Sequence, residues 1–72
     1  MIVINNQYLD RFSKNHIEYL YYIKPGTFLA FDKDTLEYIG VEYYNFIPYK
    51  NDAQIIDKAL NDLLAKSILE II

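Results

Sequence analysis

The alternation of apolar and polar positions divides the chain into short strands and one long helix. From Ile17 to Ile23, Ile17, Tyr19, Tyr21 and Ile23 fall on one side, and Glu18, Leu20, Tyr22 and Lys24 on the other. That is the period-two pattern of a strand. Pro25-Gly26 ends it as a turn. Thr27 to Phe31 is a second strand, and Asp32-Lys33-Asp34-Thr35 has the composition of a hairpin loop. Leu36 to Phe46 is a longer β-prone run that Pro48 closes. Gly40 inside it is a candidate bulge or close backbone approach. Met1 to Ile4 reads as a short strand or as a tail that joins a sheet late. Tyr8, Leu9 and Phe12 recur at one-turn spacing, which predicts a short helix over 6–14.

The clearest element follows Asn51, a capping residue with Gln54 three positions on. At about 100° per residue, Ile56, Ala59, Leu60, Leu63, Leu64, Ser67, Ile68 and Ile71 line one stripe. Lys58, Asn61, Asp62 and Lys66 lie opposite. The spacing predicts a helix over about 52–71, with Leu69 and Ile72 stranded on or beside its polar face. The short connections imply an antiparallel meander. The expected fold is a single small two-layer α+β domain: an antiparallel sheet of three to four strands packed by the C-terminal amphipathic helix.

Composition narrows what such a domain can do. The chain has 72 residues, one His and no Cys, so neither a disulfide framework nor a thiolate zinc site is available. A domain this small buries only about 60% of its unfolded surface, which makes a homodimer an expected way to gain burial. Residues 1–36 hold four acidic and four basic side chains; residues 37–72 hold six acidic and three basic. The whole excess of −3 therefore lies in the second half. No basic footprint for nucleic acid and no polybasic membrane patch is present, and neither partner is expected. No apolar run approaches the roughly 20 residues of a membrane span, and Met1 to Ile4 lacks the basic segment of a secretory leader. The expected location is the cytoplasm.

Candidate catalytic chemistry is thin. Ser13 and His16 are three apart and could meet on one helical turn, but a nucleophile and base also need a third, orienting group. Asp32 and Asp34 are more readily turn residues that bond local N–H groups. With glycine only at 26 and 40, there is no phosphate loop. A non-enzymatic protein without cofactor is expected; a small enzyme or ligand-binding protein built on His16 is the weakest alternative.

The aromatic residues point elsewhere. Eight tyrosines stand in the chain, and six of them, at 19, 21, 22, 38, 43 and 44, fall on expected strands. Codon bias contributes to that count, because Ile, Asn, Lys and Tyr share AT-rich codons. Alternation places Tyr22, Tyr38 and Tyr44 with Leu20 on one face, and Ile17, Ile23, Ile39 and Val41 on the other. The aliphatic set is expected under the helix and the tyrosine set outside. A one-residue change of register would exchange the two faces. Tyrosine supplies contact area at low entropy cost, so Tyr22, Tyr38 and Tyr44 with Glu37 and Glu42 form the expected protein-interaction surface. Interleaved carboxylates suit Arg and Lys on a partner, including one that otherwise holds nucleic acid. The expected function is a small acidic regulator or inhibitor of a larger protein, of the kind viruses and mobile elements carry. The alternative is a structural homo-oligomer whose C-terminal helix, with Leu69 and Ile72, forms the interface.

Overall fold

A computed structural model of the chain describes residues 1–12, 18–19, 27–43 and 52–72. Its elements are strand β1 (Ile2–Ile4), a 3-10 helix (Asn6–Arg11), β2 (Glu18–Tyr19), β3 (Thr27–Phe31), β4 (Tyr38–Tyr43), helix α1 (Asp52–Ala65) and β5 (Leu69–Ile71). All strand pairings among the described residues are antiparallel. β2, β3 and β4 form the expected meander, and β1 pairs with β5. An antiparallel bridge between Val3 and Glu37 joins the two sheets. The Ile4 N–H donates to the Leu36 carbonyl across that junction, 2.9 Å. The order across the described strands is therefore β5, β1, β4, β3, β2. This is an α+β fold, and among the described residues one α-helix packs on the strands.

The β3–β4 hairpin closes as its composition predicts. The Asp32 carboxylate accepts from the Asp34 N–H at 2.8 Å and the Thr35 N–H at 2.9 Å. These bonds favour the ionised form and hold its carboxyl below the usual aspartate range. Asp32 is thus engaged with the backbone of its own loop rather than paired with Asp34. Leu36 completes the turn at φ 62. That is a costly conformation for a residue with a Cβ, held here while Leu36 packs against the core.

The core runs through every layer. Ile4, Phe12, Leu29, Phe31, Leu63, Ile68 and Leu69 are buried together. Phe12 closes the N-terminal turn, which is 3-10 rather than α and ends at Arg11, short of the expected 6–14 span. Its Tyr8 N–H bonds the Asn5 carbonyl and its Phe12 N–H the Leu9 carbonyl. Residues three apart eclipse in such a helix, which sets Arg11 over the Tyr8 ring at 5.1 Å. Asn5 ties this turn to the C-terminal segment. Its amide oxygen accepts from the Gln7 N–H, while its Nδ2 donates to the Ser67 carbonyl at 3.1 Å.

The end of the helix corrects the sequence expectation. α1 stops at Ala65, six residues before the expected limit. The Ile68 N–H donates to the Leu63 carbonyl and the Ser67 N–H to the Leu64 carbonyl, both at 3.0 Å. Those two bonds make a Schellman cap, with Ser67 left-handed at φ 60 and Leu63 against Ile68 as its apolar contact. Ser67 is exposed there, not part of the apolar stripe. The chain then reverses into β5, and Leu69 pairs with Ile4 and is only 1% exposed. Leu69 therefore cannot serve as an oligomer contact on a helix surface; it is a core residue. Ser67→Gly removes the Cβ from a left-handed position and keeps every backbone bond. Urea unfolding is expected to show it about 0.5–1 kcal/mol more stable than wild type.

Candidate protein-interaction face

The β3–β4 register decides which side chains face away from the helix. Thr27 pairs with Tyr43, Phe28 with Glu42, Leu29 with Val41 and Ala30 with Gly40; the next pair is Phe31 with Tyr38. One step on β3 thus spans two on β4, and Ile39 is the extra residue of a bulge beside Gly40. Residues directly opposite share a face. Tyr38 and Val41 therefore join Phe31 and Leu29 on the core side, although three positions separate them.

Tyr38 and Ile39 are consequently exchanged relative to the sequence expectation. The Tyr38 ring is half-buried and meets Phe31 edge-on, with centroids 5.8 Å apart and planes at 65°. Burial pushes its phenol above the ordinary tyrosine range, and the negative charge of Asp57 adds to the shift. Ile39, expected beneath the helix, is instead 63% exposed. The physical cause is the inserted residue, which inverts the parity of every position on the N-terminal side of it. Val41 lies C-terminal to the bulge and packs on the core as expected.

The same bulge brings the two expected carboxylates to one side. Glu42 opposes Phe28 on the face away from the core and is exposed. Glu37 precedes Tyr38 and so takes the opposite side from it, again away from the core. Glu37 also bridges to Val3, which is paired on its far side with Glu70. Glu70, Val3 and Glu37 thus form a row from β5 through β1 to the residue that precedes β4, with Val3 at 7% exposure between two acidic neighbours. The sequence alone does not mark Glu70, because its spacing places it on the expected helix. Its partnership with Val3 depends on a strand pairing 67 residues apart in the chain.

The face turned away from the core therefore carries Glu37, Glu42 and Glu70, with Ile39 as an exposed apolar side chain between the first two. The carboxylates are spread along rows. Among the described residues no cluster of His, Asp or Glu could hold a metal ion. Tyr22 and Tyr44 lie outside the described residues, as do Ser13 and His16. Ile72 is 72% exposed, beside Ile71 at 69% and Met1 at 62%. No helix among the described residues is long and apolar enough to cross a membrane.

Fold and face together define an α+β domain with an acidic, apolar-centred sheet surface. No family model, curated protein or solved structure matches the chain.

Proposed function

We propose that this chain is a small, non-enzymatic protein-binding module that regulates or inhibits a larger protein with a basic surface, such as one that otherwise holds nucleic acid. The observation that carries the reading is the β4 bulge, which sets Ile39 into solvent with Glu37 and Glu42 on the same side. An exposed apolar side chain rimmed by charge matches the anatomy of binding hot spots, where a central anchor is buried and a charged rim sets orientation. Glu70 extends the acidic side of that surface. Viral or mobile-element origin belongs to the same proposal and rests on the small, acidic, AT-rich-coded character of the chain.

Affinity capture from the native host, with bound proteins identified by mass spectrometry, tests the reading. Wild type is expected to retain a specific basic partner. A Glu37→Lys/Ile39→Ser/Glu42→Lys variant is expected to lose at least tenfold in affinity, about 1.4 kcal/mol. Asn61→Lys, on the polar side of α1, should bind like wild type. Equal capture by the triple variant and wild type would sink the proposal.

A homodimer through the C-terminal segment is the second reading. Exposed Met1, Ile71 and Ile72 at one end of the β1–β5 ladder favour it.

A further inference from the structure

We propose that the outward face of β4, β1 and β5 seats an amphipathic helix of the partner protein, laid across the strands. Its apolar stripe covers Ile39, Met1 and Ile72, and two Lys or Arg residues seven positions apart at the edge of that stripe meet Glu37 and Glu70. The inference rests on the protein-binding reading. It names the form of the partner segment and extends the contact surface from β4 to the end of β5.

The register brings the three apolar side chains into one row. The Ile72 N–H donates to the Met1 carbonyl at 2.9 Å, and the Met1 ammonium donates to the Ile72 carbonyl at 3.3 Å, so the two residues stand opposite each other. On the other side of β1, the Val3–Glu37 bridge sets the register with β4. One step from that bridge, Ile2 falls beside Tyr38, and both pack on the core. Two steps from it, Met1 falls beside Ile39 on the opposite face. Ile72, Met1 and Ile39 thus stand in line at the ends of β5 and β1 and within β4. All three are between 62% and 72% exposed. The row of Glu70, Val3 and Glu37 runs parallel to this line, two residues along the strands, or about 7 Å away. Glu70 is exposed and Glu37 is half-exposed.

The spacing of the row selects a helix. Neighbouring strands lie about 4.8 Å apart, so three of them span about 9.6 Å. A helix rises about 1.5 Å per residue, so side chains at i, i+4 and i+7 cover about 10.5 Å and meet the three strands in turn. An extended segment sets same-side residues about 6.8 Å or 13.6 Å apart and misses the third position. Glu70 and Glu37 are also separated by two strand spacings, which fixes the seven-residue interval between the cations. Each cation then makes a charge-assisted hydrogen bond at the rim, while the apolar row supplies the buried contact. A second copy of this chain fits poorly. Laid row on row, it sets one acidic face against another.

The test uses the full chain, isotopically labelled, and a blocked alanine–glutamine peptide held helical by a lactam bridge on its far side. The peptide carries leucine at its fourth, eighth and eleventh positions and lysine at its fifth and twelfth. A second peptide has glutamate in place of both lysines, and a third, unbridged, has its leucines two apart. Amide resonances are followed by NMR. The lysine peptide is expected to shift the Ile39, Glu70 and Ile72 amides, with affinity at least tenfold above that of either other peptide. Glu37→Lys/Glu70→Lys should reverse the preference between lysine and glutamate. Ile39→Ser/Ile72→Ser should weaken the lysine peptide at least tenfold, and decides alone if the charge-reversed variant does not fold. Equal response to the three peptides, or no shift at these residues, would overturn the proposal. So would a dimer mass by sedimentation with the same amides shifting on dilution, which assigns the face to a second copy. Partner capture separates this inference from the reading beneath it. Capture that survives Ile72→Ser/Glu70→Lys but fails in the Glu37/Ile39/Glu42 variant overturns the helix across the strands alone. Capture indifferent to both overturns both.

Discussion

Leu69→Lys is expected to unfold the protein, while Ile72→Lys leaves its stability within about 0.5 kcal/mol of wild type. The two residues look alike in sequence, as apolar side chains off the helical stripe. The structure separates them: Leu69 is 1% exposed and packs among Ile4, Leu63 and Ile68, whereas Ile72 is 72% exposed. A lysine at 69 would lose the apolar contacts of leucine. It would also place an ammonium where no described carboxylate is packed. Burial of an unpaired charge costs at least about 4 kcal/mol in practice. A domain of this size has on the order of 5 kcal/mol in total. Thermal unfolding by circular dichroism is the measurement. A cooperative melt for Leu69→Lys near the wild-type temperature would show that β5 does not dock as described. The pair also reinterprets any loss of oligomer in Leu69 variants, since unfolding would remove an assembly without Leu69 touching a partner.

Phe31→Ala is the second large effect, about 3–5 kcal/mol of destabilisation in urea unfolding. Phe31 is 4% exposed and stands between two aromatic rings. Phe12 meets it at 5.3 Å and 80°, and Tyr38 at 5.8 Å and 65°. It thereby ties the 3-10 turn and β4 to the middle strand of the meander. Each edge-on pair adds about 0.5–1.5 kcal/mol beyond the area it buries. Phe31→Leu retains volume but loses both pairs, and should cost about 1–2 kcal/mol. A double-mutant cycle of Phe31→Leu with Tyr38→Leu is expected to return a coupling near 1 kcal/mol. Zero coupling would mean that Tyr38 does not pack inward, and would restore the outward face that simple alternation assigns it.

Much of the local structure is legible without coordinates. Thr27 to Phe31, the Asp32 loop and the start of the long helix follow from alternation, turn chemistry and helical spacing, all of which act over a few residues. The stripe of Ile56, Ala59, Leu60, Leu63 and Leu64 is the face the helix buries or half-buries. The C-terminus departs from its helical spacing. Ile68-Leu69-Glu70-Ile71-Ile72 continues a helical stripe in part, yet it is also rich in β-branched residues. Leu69 and Ile72, off the stripe, were the signal that the helix ends. That signal marks an end to the helix but does not choose what replaces it. Pairing with Met1–Ile4 chooses, because the strand buries Leu69 against Ile4 while Ser67 accepts a left-handed cap.

The candidate face divides in the same way. Glu37 and Glu42 could be named from the chain as interleaved carboxylates, but not placed on one side. Their convergence, the exposure of Ile39 and the burial of Tyr38 all depend on one extra residue in a ladder. A bulge is a property of two paired strands, so one strand's alternation carries only the hint of Gly40. By itself, then, the sequence determined the α+β class, the meander, the helix core and the acidic second half, because each is set by local periodicity or by composition. Only the tertiary structure decided the fifth strand, the row of Glu70, Val3 and Glu37, and which side of β4 meets solvent. Those features arise from contacts between segments up to 71 residues apart, and no local pattern encodes the register in which distant strands meet.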